Sequence, residues 1–158
     1  MSNTRMLQYA DHFREIYDGN PWYGENIATK LDGLTDDIAF IRPVQNMHSV
    51  AEVVAHMTYW RQSLISRLQS DASFKASVES EDNWKDIARL KARGWESVHR
   101  AFVASQEVLI NLLSQQSDDM LDQVYADGRT YDYLIRGVLY HDVYHLGQIG
   151  LIRKLASA

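Results

Sequence analysis

The chain has 158 residues, enough for one domain with a substantial core and too few for two ordinary ones, so we expect a single domain over residues 1–158. Hydrophobic residues make up 46%, and the net charge of −5 argues against binding to nucleic acid or to an anionic membrane. Since cysteine is absent, any metal ion must be held by imidazole or oxygen. The N-terminus lacks the apolar core of a signal peptide and no run approaches a membrane span, which predicts a cytoplasmic protein.

The first third of the chain carries a broken helical pattern. Apolar residues recur every three or four positions over residues 5–18 and again over 22–34, and Gly19-Asn20-Pro21 separates the two pieces. We therefore predict one long first helix with a break. Residues 35–48 form a connection, because Pro43 cannot lie inside a helix.

A second helix is predicted to begin at a capping box. The Ser49 hydroxyl can accept from the backbone N–H of Glu52, whose carboxylate can reach back to Ser49. The apolar stripe that follows predicts a helix over 50–68, and His56 lies about two turns into it. We interpret His56 as either a core histidine bonded to a neighbour or a metal ligand. Residues 70–80 are small and polar and form a linker longer than a tight turn requires, which permits a crossover.

The third helical pattern is the longest. It spans residues 82–116 without a proline, and Gly94 inside it is expected to cost about 1 kcal/mol relative to alanine. Residues 124–131 could form a short β-hairpin around Asp127-Gly128, a dipeptide that favours a tight turn.

The fourth helical pattern, over residues 131–155, contains a histidine pair. Thr130 can cap this helix at its N-terminus. The spacing of His141 and His145 places both imidazoles on one face, one turn apart, so that they can share one metal ion. Such a pair equally fits core histidines that only pack. Four long helical patterns with little strand content predict an all-α fold, an antiparallel four-helix bundle.

A third histidine strengthens the metal interpretation. Inward-facing side chains of different helices meet in the core of a bundle, so His56 can complete a three-imidazole cluster with His141 and His145. Three neutral histidines leave one coordination position for water or substrate, which is typical of catalytic zinc sites. Ligand type alone fits zinc, nickel, copper and iron.

Two segments carry a resemblance to a known family. They are residues 43–60, where a proline-containing loop and a serine-capped helix carry His56, and His141-Asp-Val-Tyr-His145-Leu-Gly-Gln148-Ile149. Over nearly its whole length the chain resembles the DinB / YfiT-like superfamily of bacterial four-helix-bundle proteins. The resemblance implies a long crossover between helices two and three, and frequent homodimers. It also implies one divalent metal ion, zinc or nickel, held by His56, His141 and His145.

The resemblance leaves two functions open. One is a metal-dependent enzyme, a thiol-dependent S-transferase or a hydrolase, whose small-molecule substrate could be a low-molecular-weight thiol. The transferase branch often carries further sequence after the bundle, whereas this sequence ends eight residues after Gly150, which weighs against thiol transfer. The other is a non-catalytic metal-binding or stress-associated dimeric bundle, with the fourth position blocked by a side chain such as Gln148 or Trp60.

Gln148 and Glu52 are the candidate catalytic residues beside the ligands. Gln148 follows His145 by three residues and Glu52 precedes His56 by four, so each shares a helix face with a ligand. Either side chain could orient its ligand or hold a metal-bound water. For Glu52 the capping role is an equal alternative.

Overall fold

The computed structural model describes residues 2–71, 73–74, 76–126 and 128–157, which are mostly helical. The elements in these residues are α1 (Thr4–Asp18), α2 (Ile27–Leu31), α3 (Asp36–Ala39), α4 (Val50–Leu68), α5 (Ile87–Arg93), α6 (Trp95–Gln115), a 3-10 helix (Asp118–Asp122), β1 (Val124–Ala126), β2 (Arg129–Thr130) and α7 (Tyr131–Ala156). The four long helices α1, α4, α6 and α7 pack as a bundle, which confirms the predicted all-α class. The short helices α2, α3 and α5 lie on the connections.

The directions of the long helices follow from contacts at their ends. Helices α1 and α7 run parallel, because the hydroxyl of Tyr9 donates to Asp132 in the first turn of α7 at 2.7 Å. Helix α4 is antiparallel to α7, because the Tyr131 hydroxyl donates to the carbonyl of Arg67 near the end of α4. Helix α6 is antiparallel to α1, because Asp118, just after α6, accepts from the backbone N–H of Met6. Helices α4 and α6 therefore run parallel to each other, as α1 and α7 do. The bundle thus contains both parallel and antiparallel neighbours, whereas the sequence predicted an antiparallel bundle.

This topology requires the long crossover that the resemblance implied. Because α4 and α6 are parallel neighbours, the chain must return along the bundle between them. We call the described part of residues 69–86 the crossover segment. Its contacts with α4 include hydrogen bonds from the Tyr59 hydroxyl to the Ser77 carbonyl at 3.1 Å and from Trp60 Nε1 to Asn83 Oδ1 at 2.9 Å. The crossover segment is thereby held against one face of α4.

Both predicted helix caps are present. The Ser49 hydroxyl accepts from the Glu52 backbone and the Glu52 carboxylate accepts from the Ser49 backbone, which completes the capping box. Thr130 accepts from the backbone N–H of Tyr133 at the start of α7. The short hairpin is also present, with β1 and β2 paired antiparallel, although Asp127 of the predicted turn lies outside the described residues.

The third helical pattern is broken, contrary to the prediction of one helix over 82–116. Residues 82–86 are not helical, and Gly94 separates α5 from α6. The φ angle of Gly94 is 78°, a left-handed conformation that glycine adopts readily and that an α-helix cannot contain. The carboxylate of Asp36 accepts from the backbone N–H of Trp95 at 2.7 Å, which satisfies a free donor at the start of α6.

The second piece of the first pattern is also shorter than predicted. Within residues 22–34 only Ile27–Leu31 is helical, capped by the side chain of Asn26. Trp22 is 98% exposed and belongs to no helix. Helix α3 was not predicted at all, because four residues are too few to show a period. No helix in the described part of the chain is long and apolar enough to cross a membrane.

Candidate metal centre

The structure brings together the three histidines singled out from the sequence. His56 projects from α4, and His141 and His145 project from α7, with their ligand atoms all within 4.8 Å of one another. Nε2 of His141 lies 3.0 Å from Nε2 of His56 and 3.0 Å from Nε2 of His145. Nitrogens bound to one tetrahedral zinc ion at about 2.0–2.1 Å stand about 3.3 Å apart. A small outward adjustment of the rings therefore fits one shared ion.

Two of the histidines are fixed in the tautomer that metal binding requires. Nδ1 of His56 donates to the backbone carbonyl of Asn83 at 2.8 Å, since a carbonyl can only accept. Nδ1 of His145 donates to Oε1 of Gln148 at 2.6 Å. In both rings the hydrogen is on Nδ1, so that Nε2 carries a lone pair directed at the centre of the cluster. Gln148 thus orients a predicted ligand from the side that faces away from the cluster.

The centre of the cluster lacks enough hydrogens to satisfy its nitrogens. Whichever nitrogen of neutral His141 carries its hydrogen, the three Nε2 atoms share at most one hydrogen, which can join only two of them at a time. A cation among the three nitrogens would satisfy all of them at once. The donor set, three neutral imidazoles, is one that zinc, nickel and other transition-metal ions accept.

The electrostatics keep two of the rings neutral. Burial, helped by the neighbouring His141 and His145, lowers the pKa of His56 to about 4, because a charged ring would lose solvation and face repulsion from a second positive charge. Burial lowers the pKa of His145 to about 4 as well, again with a contribution from His141. At neutral pH both rings are therefore ready to bind a metal ion without first losing a proton.

The crossover segment supplies one wall of the site. The Trp84 ring stacks on His56 with centroids 3.8 Å apart, and its other face stacks on His48 at 3.9 Å. The side chain of Asn83 accepts from Trp60 Nε1 and donates to the carbonyl of Val78 at 2.9 Å. These bonds hold the backbone carbonyl of Asn83 within hydrogen-bonding distance of Nδ1 of His56.

Three residues of the site were missed in the sequence. Asn83 and Trp84 fall in a stretch assigned to the third helix, and His48 falls in a connection. An aromatic residue at the end of a polar linker was the available signal for Trp84. Nothing in the spacing of Asn83 relates it to His56, because the path of the crossover sets that relation. His48 joins the site by stacking on Trp84 of the same crossover.

Trp60 lines one side of the histidine cluster. Its ring stands edge-on to His56 and to His141, with centroids 6.5 and 6.3 Å away. Its only polar atom, Nε1, is bonded to Asn83. Trp60 therefore limits access to the centre without occupying it.

Glu52 does not reach the cluster, although its Oε1 lies 3.2 Å from Nδ1 of His48. Its carboxylate is 2% exposed, accepts from the Ser49 backbone and from Arg42 Nε at 2.9 Å, and has no hydrogen bond to the three histidines in the described chain. Burial by itself raises the pKa of Glu52, but hydrogen bonds from Arg42 and Ser49 outweigh it and lower the pKa to about 2. The geometry thus places Glu52 in the capping box and against the preceding loop.

The cluster leaves room for a further ligand. Among the described residues no other histidine, cysteine, aspartate or glutamate joins it, and the His141 side chain is 24% exposed. A cleft of about 400 Å³ shares His48 and Gln148 with the site. Its other lining residues are mostly apolar and include Val44, Met47, Val53, Leu151 and Ile152. The cleft has the volume of a small-molecule site, and none of the three histidines lines it.

Comparison with known proteins gives one family. The family model described as DinB superfamily matches residues 25–149, a segment that contains all three histidines of the cluster. No curated protein gives a significant match, and no solved structure does.

Proposed function

The chain belongs to the DinB superfamily, and from this membership and the geometry of the cluster we propose that it is a divalent-metal-dependent enzyme acting on a small molecule. His56, His141 and His145 hold one zinc or nickel ion. The observation that carries the proposal is the convergence of three Nε2 atoms while two Nδ1 atoms are bonded to acceptors. A divalent ion there would supply Lewis acidity, which lowers the pKa of bound water to about 7 or holds a thiol as thiolate.

The protein's own residues have separate roles in this proposal. Asn83 and Gln148 keep two imidazoles in the binding tautomer and orientation. Trp84 and Trp60 exclude water from two sides of the cluster. The reaction is S-transfer from a low-molecular-weight thiol or hydrolysis of a small molecule.

A non-catalytic metal-binding role is the alternative. It requires that a side chain such as Gln148 or Trp60 block the remaining coordination position. Gln148 instead bonds Nδ1 of His145, on the far side of that ring, and Trp60 has its N–H bonded to Asn83. These contacts favour an open position and therefore the enzyme.

Metal analysis of the purified, untagged protein tests the site. We expect near-stoichiometric zinc or nickel in the wild type and none in His141→Ala, because two imidazoles hold a divalent ion much more weakly than three. Circular dichroism would show that the variant remains helical. A wild type that binds no metal even after reconstitution would refute the proposal.

Activity screens separate the enzyme from the alternative. The metal-loaded wild type would be assayed with low-molecular-weight thiols and electrophilic acceptors, and with ester, amide and phosphoester panels for hydrolysis. We expect turnover that disappears in His141→Ala. Stoichiometric metal without turnover in either screen would favour the non-catalytic role.

We also propose that the protein forms homodimers through the outer face of α7. Large exposed side chains recur along this face at intervals of seven and four residues, namely Tyr133, Tyr140, Tyr144, Leu151 and Leu155. Gly137 and Gly147 lie between them, and a Cβ atom at either position would meet nothing within 4 Å. Such a stripe can pack against the same stripe of a second copy.

Analytical ultracentrifugation tests the dimer. It should show a dimeric wild type, and the variant Tyr140→Lys should be monomeric because it places a charge in the apolar stripe. A wild type that is monomeric at high concentration would refute the dimer.

A further inference from the structure

A buried ion pair lies beside the histidine cluster, between the two helices that carry the ligands. Nε of Arg61 donates to Oδ2 of Asp142 at 2.8 Å, and neither side chain has any exposed surface. The guanidinium of Arg61 also stacks on the ring of Phe102, 4.1 Å from its centroid. The pair therefore joins α4, α6 and α7 in the interior of the bundle.

This ion pair is incompletely satisfied. The two terminal nitrogens of Arg61 and Oδ1 of Asp142 are buried and have no hydrogen-bond partner among the described residues. Buried ion pairs are often no better for stability than well-packed apolar residues of the same volume. A stabilising role therefore does not account for the pair, and its free carboxylate oxygen calls for another explanation.

The free oxygen faces the third histidine of the cluster. Oδ1 of Asp142 lies 3.8 Å from Nδ1 of His141, and that nitrogen is also buried without a partner in the described chain. The other two rings each have an acceptor for Nδ1, a backbone carbonyl for His56 and a side-chain amide for His145. Among the three rings, His141 is thus the one whose Nδ1 has no hydrogen-bond partner in the described chain.

We propose that Asp142 is the positioning residue for His141, accepting the hydrogen of its Nδ1 so that Nε2 is free to bind the ion. The inference rests on the metal site proposed above. The 3.8 Å separation exceeds a hydrogen bond by about 1 Å, which a modest rotation of the imidazole can close. Carboxylates commonly accept from metal-bound histidines, and they raise the basicity of the ligand nitrogen.

Arg61 has a defined part in this arrangement. Its bond to Oδ2 fixes the orientation of the carboxylate and leaves Oδ1 directed at His141. Its positive charge balances the negative charge of Asp142, so that the buried carboxylate is not left uncompensated. The arginine acts on the site only through Asp142.

Two variants test the proposal. Asp142→Asn removes the anionic acceptor but leaves the Arg61 charge buried and unpaired, which endangers folding. The double variant Arg61→Leu/Asp142→Leu removes the acceptor and the charge together and keeps the volume filled. Asp132→Asn is the matched control, because it makes the same change in a carboxylate of the same helix that contacts Tyr9 and not the cluster.

Zinc affinity is the first measurement, made by chelator competition. We expect it to fall about 10- to 100-fold in the double variant, and in Asp142→Asn if that variant folds, and to stay unchanged in Asp132→Asn. Thermal unfolding of the metal-free proteins is recorded in parallel. A double variant that binds zinc as tightly as the wild type, whatever its stability, overturns the inference.

The second measurement is the tautomer of His141 in the metal-free protein, from long-range ¹H–¹⁵N NMR of the imidazole. We expect the hydrogen on Nδ1 in the wild type and increased Nε2–H tautomer in the double variant. An unchanged tautomer overturns the inference even where the affinity falls. A wild type that binds no zinc refutes the proposed function instead, and the tautomer experiment still decides the contact between Asp142 and His141.

Discussion

His56 and His145 are both buried and both have a pKa lowered to about 4, yet two different regions of the chain hold them. Within α7, Gln148 bonds His145 from three residues away. The crossover segment reaches His56 from 27 residues away, through the carbonyl of Asn83 and the stacked ring of Trp84. Two comparable histidines thus depend on local helix geometry in one case and on the path of a long connection in the other.

This difference indicates where the site is vulnerable. A helix positions residues three and four apart whenever it forms. The crossover segment positions its residues only while its hydrogen bonds to Tyr59 and Trp60 hold it on α4. Changes in the crossover should therefore disturb fold and site together, whereas changes in α7 can disturb the site alone.

The largest expected effect is the loss of a ligand from either region. His56→Ala and His145→Ala should each weaken zinc binding by more than about 100-fold, the upper range for residues that only orient a ligand. Chelator competition would measure the affinity. His99→Ala is the control, because that ring stacks on Trp95 away from the cluster. Near wild-type affinity in either ligand variant would exclude that histidine from the site.

The two histidines should also make the metal-free protein sensitive to acid. Their pKa is about 6.5 in the unfolded chain and about 4 in the folded one, so the unfolded chain binds more protons between these values. Above pH 6.5 the two histidines should leave the free energy of unfolding unchanged, and as the pH decreases to 4 they should lower it by about 3 kcal/mol each. Urea unfolding across this range measures it.

The control for the pH experiment is the double variant His56→Gln/His145→Gln. Its free energy of unfolding should change much less between pH 6.5 and pH 4 than that of the wild type. A slope equal to that of the wild type would show that other groups cause the acid sensitivity.

Truncation in the crossover should lower stability as well as metal affinity. Trp84→Ala removes a ring stacked between His48 and His56, and we expect the free energy of unfolding to fall by about 2–3 kcal/mol, somewhat less than for a fully buried tryptophan. Trp22→Ala, at a position 98% exposed, should change neither quantity. Equal urea midpoints for the two variants would contradict the assigned role of the crossover.

Removal of Gln148, the local partner of His145, should lower the zinc affinity with little effect on stability. Gln148→Met keeps the side-chain volume but removes the acceptor for Nδ1 of His145, so zinc affinity should fall about 10- to 100-fold. The unfolding free energy should change by less than about 1 kcal/mol. A stability loss as large as that of Trp84→Ala would remove the distinction between the two regions.

The smallest effect concerns Glu52. Glu52→Gln weakens the capping box and the bond to Arg42, which should lower the unfolding free energy by about 1 kcal/mol and leave metal content unchanged. Thermal unfolding and elemental analysis check the two parts. A loss of metal in a folded variant would instead give Glu52 a role in the site.

What could be predicted from the sequence follows the same division between local and distant contacts. The pair His141 and His145, the capping box at Ser49 and the cap at Thr130 were all evident, because each depends on residues within one helical turn. That His56 joins His141 and His145 was predicted from the bundle architecture and from the family resemblance.

The rest depended on contacts between distant segments. Asn83 and Trp84 reach His56 only because the crossover returns along α4, and no local period encodes that path. The ion pair of Arg61 and Asp142 joins residues 81 positions apart. The sequence placed Gly94 inside a helix, because the spacing of apolar residues does not reveal the left-handed backbone conformation that ends α5.

The distance along the chain between the proposed ligands has a consequence for folding kinetics. His56 and His141 are 85 residues apart, so the complete cluster exists only after α4 and α7 have packed together. A metal ion bound there would stabilise the native state by about 4 kcal/mol at a free concentration a thousand times its dissociation constant. We expect the three rings to come together only after the folding transition state, so that this stabilisation is absent from it. Metal loading should therefore slow unfolding while the folding rate stays the same.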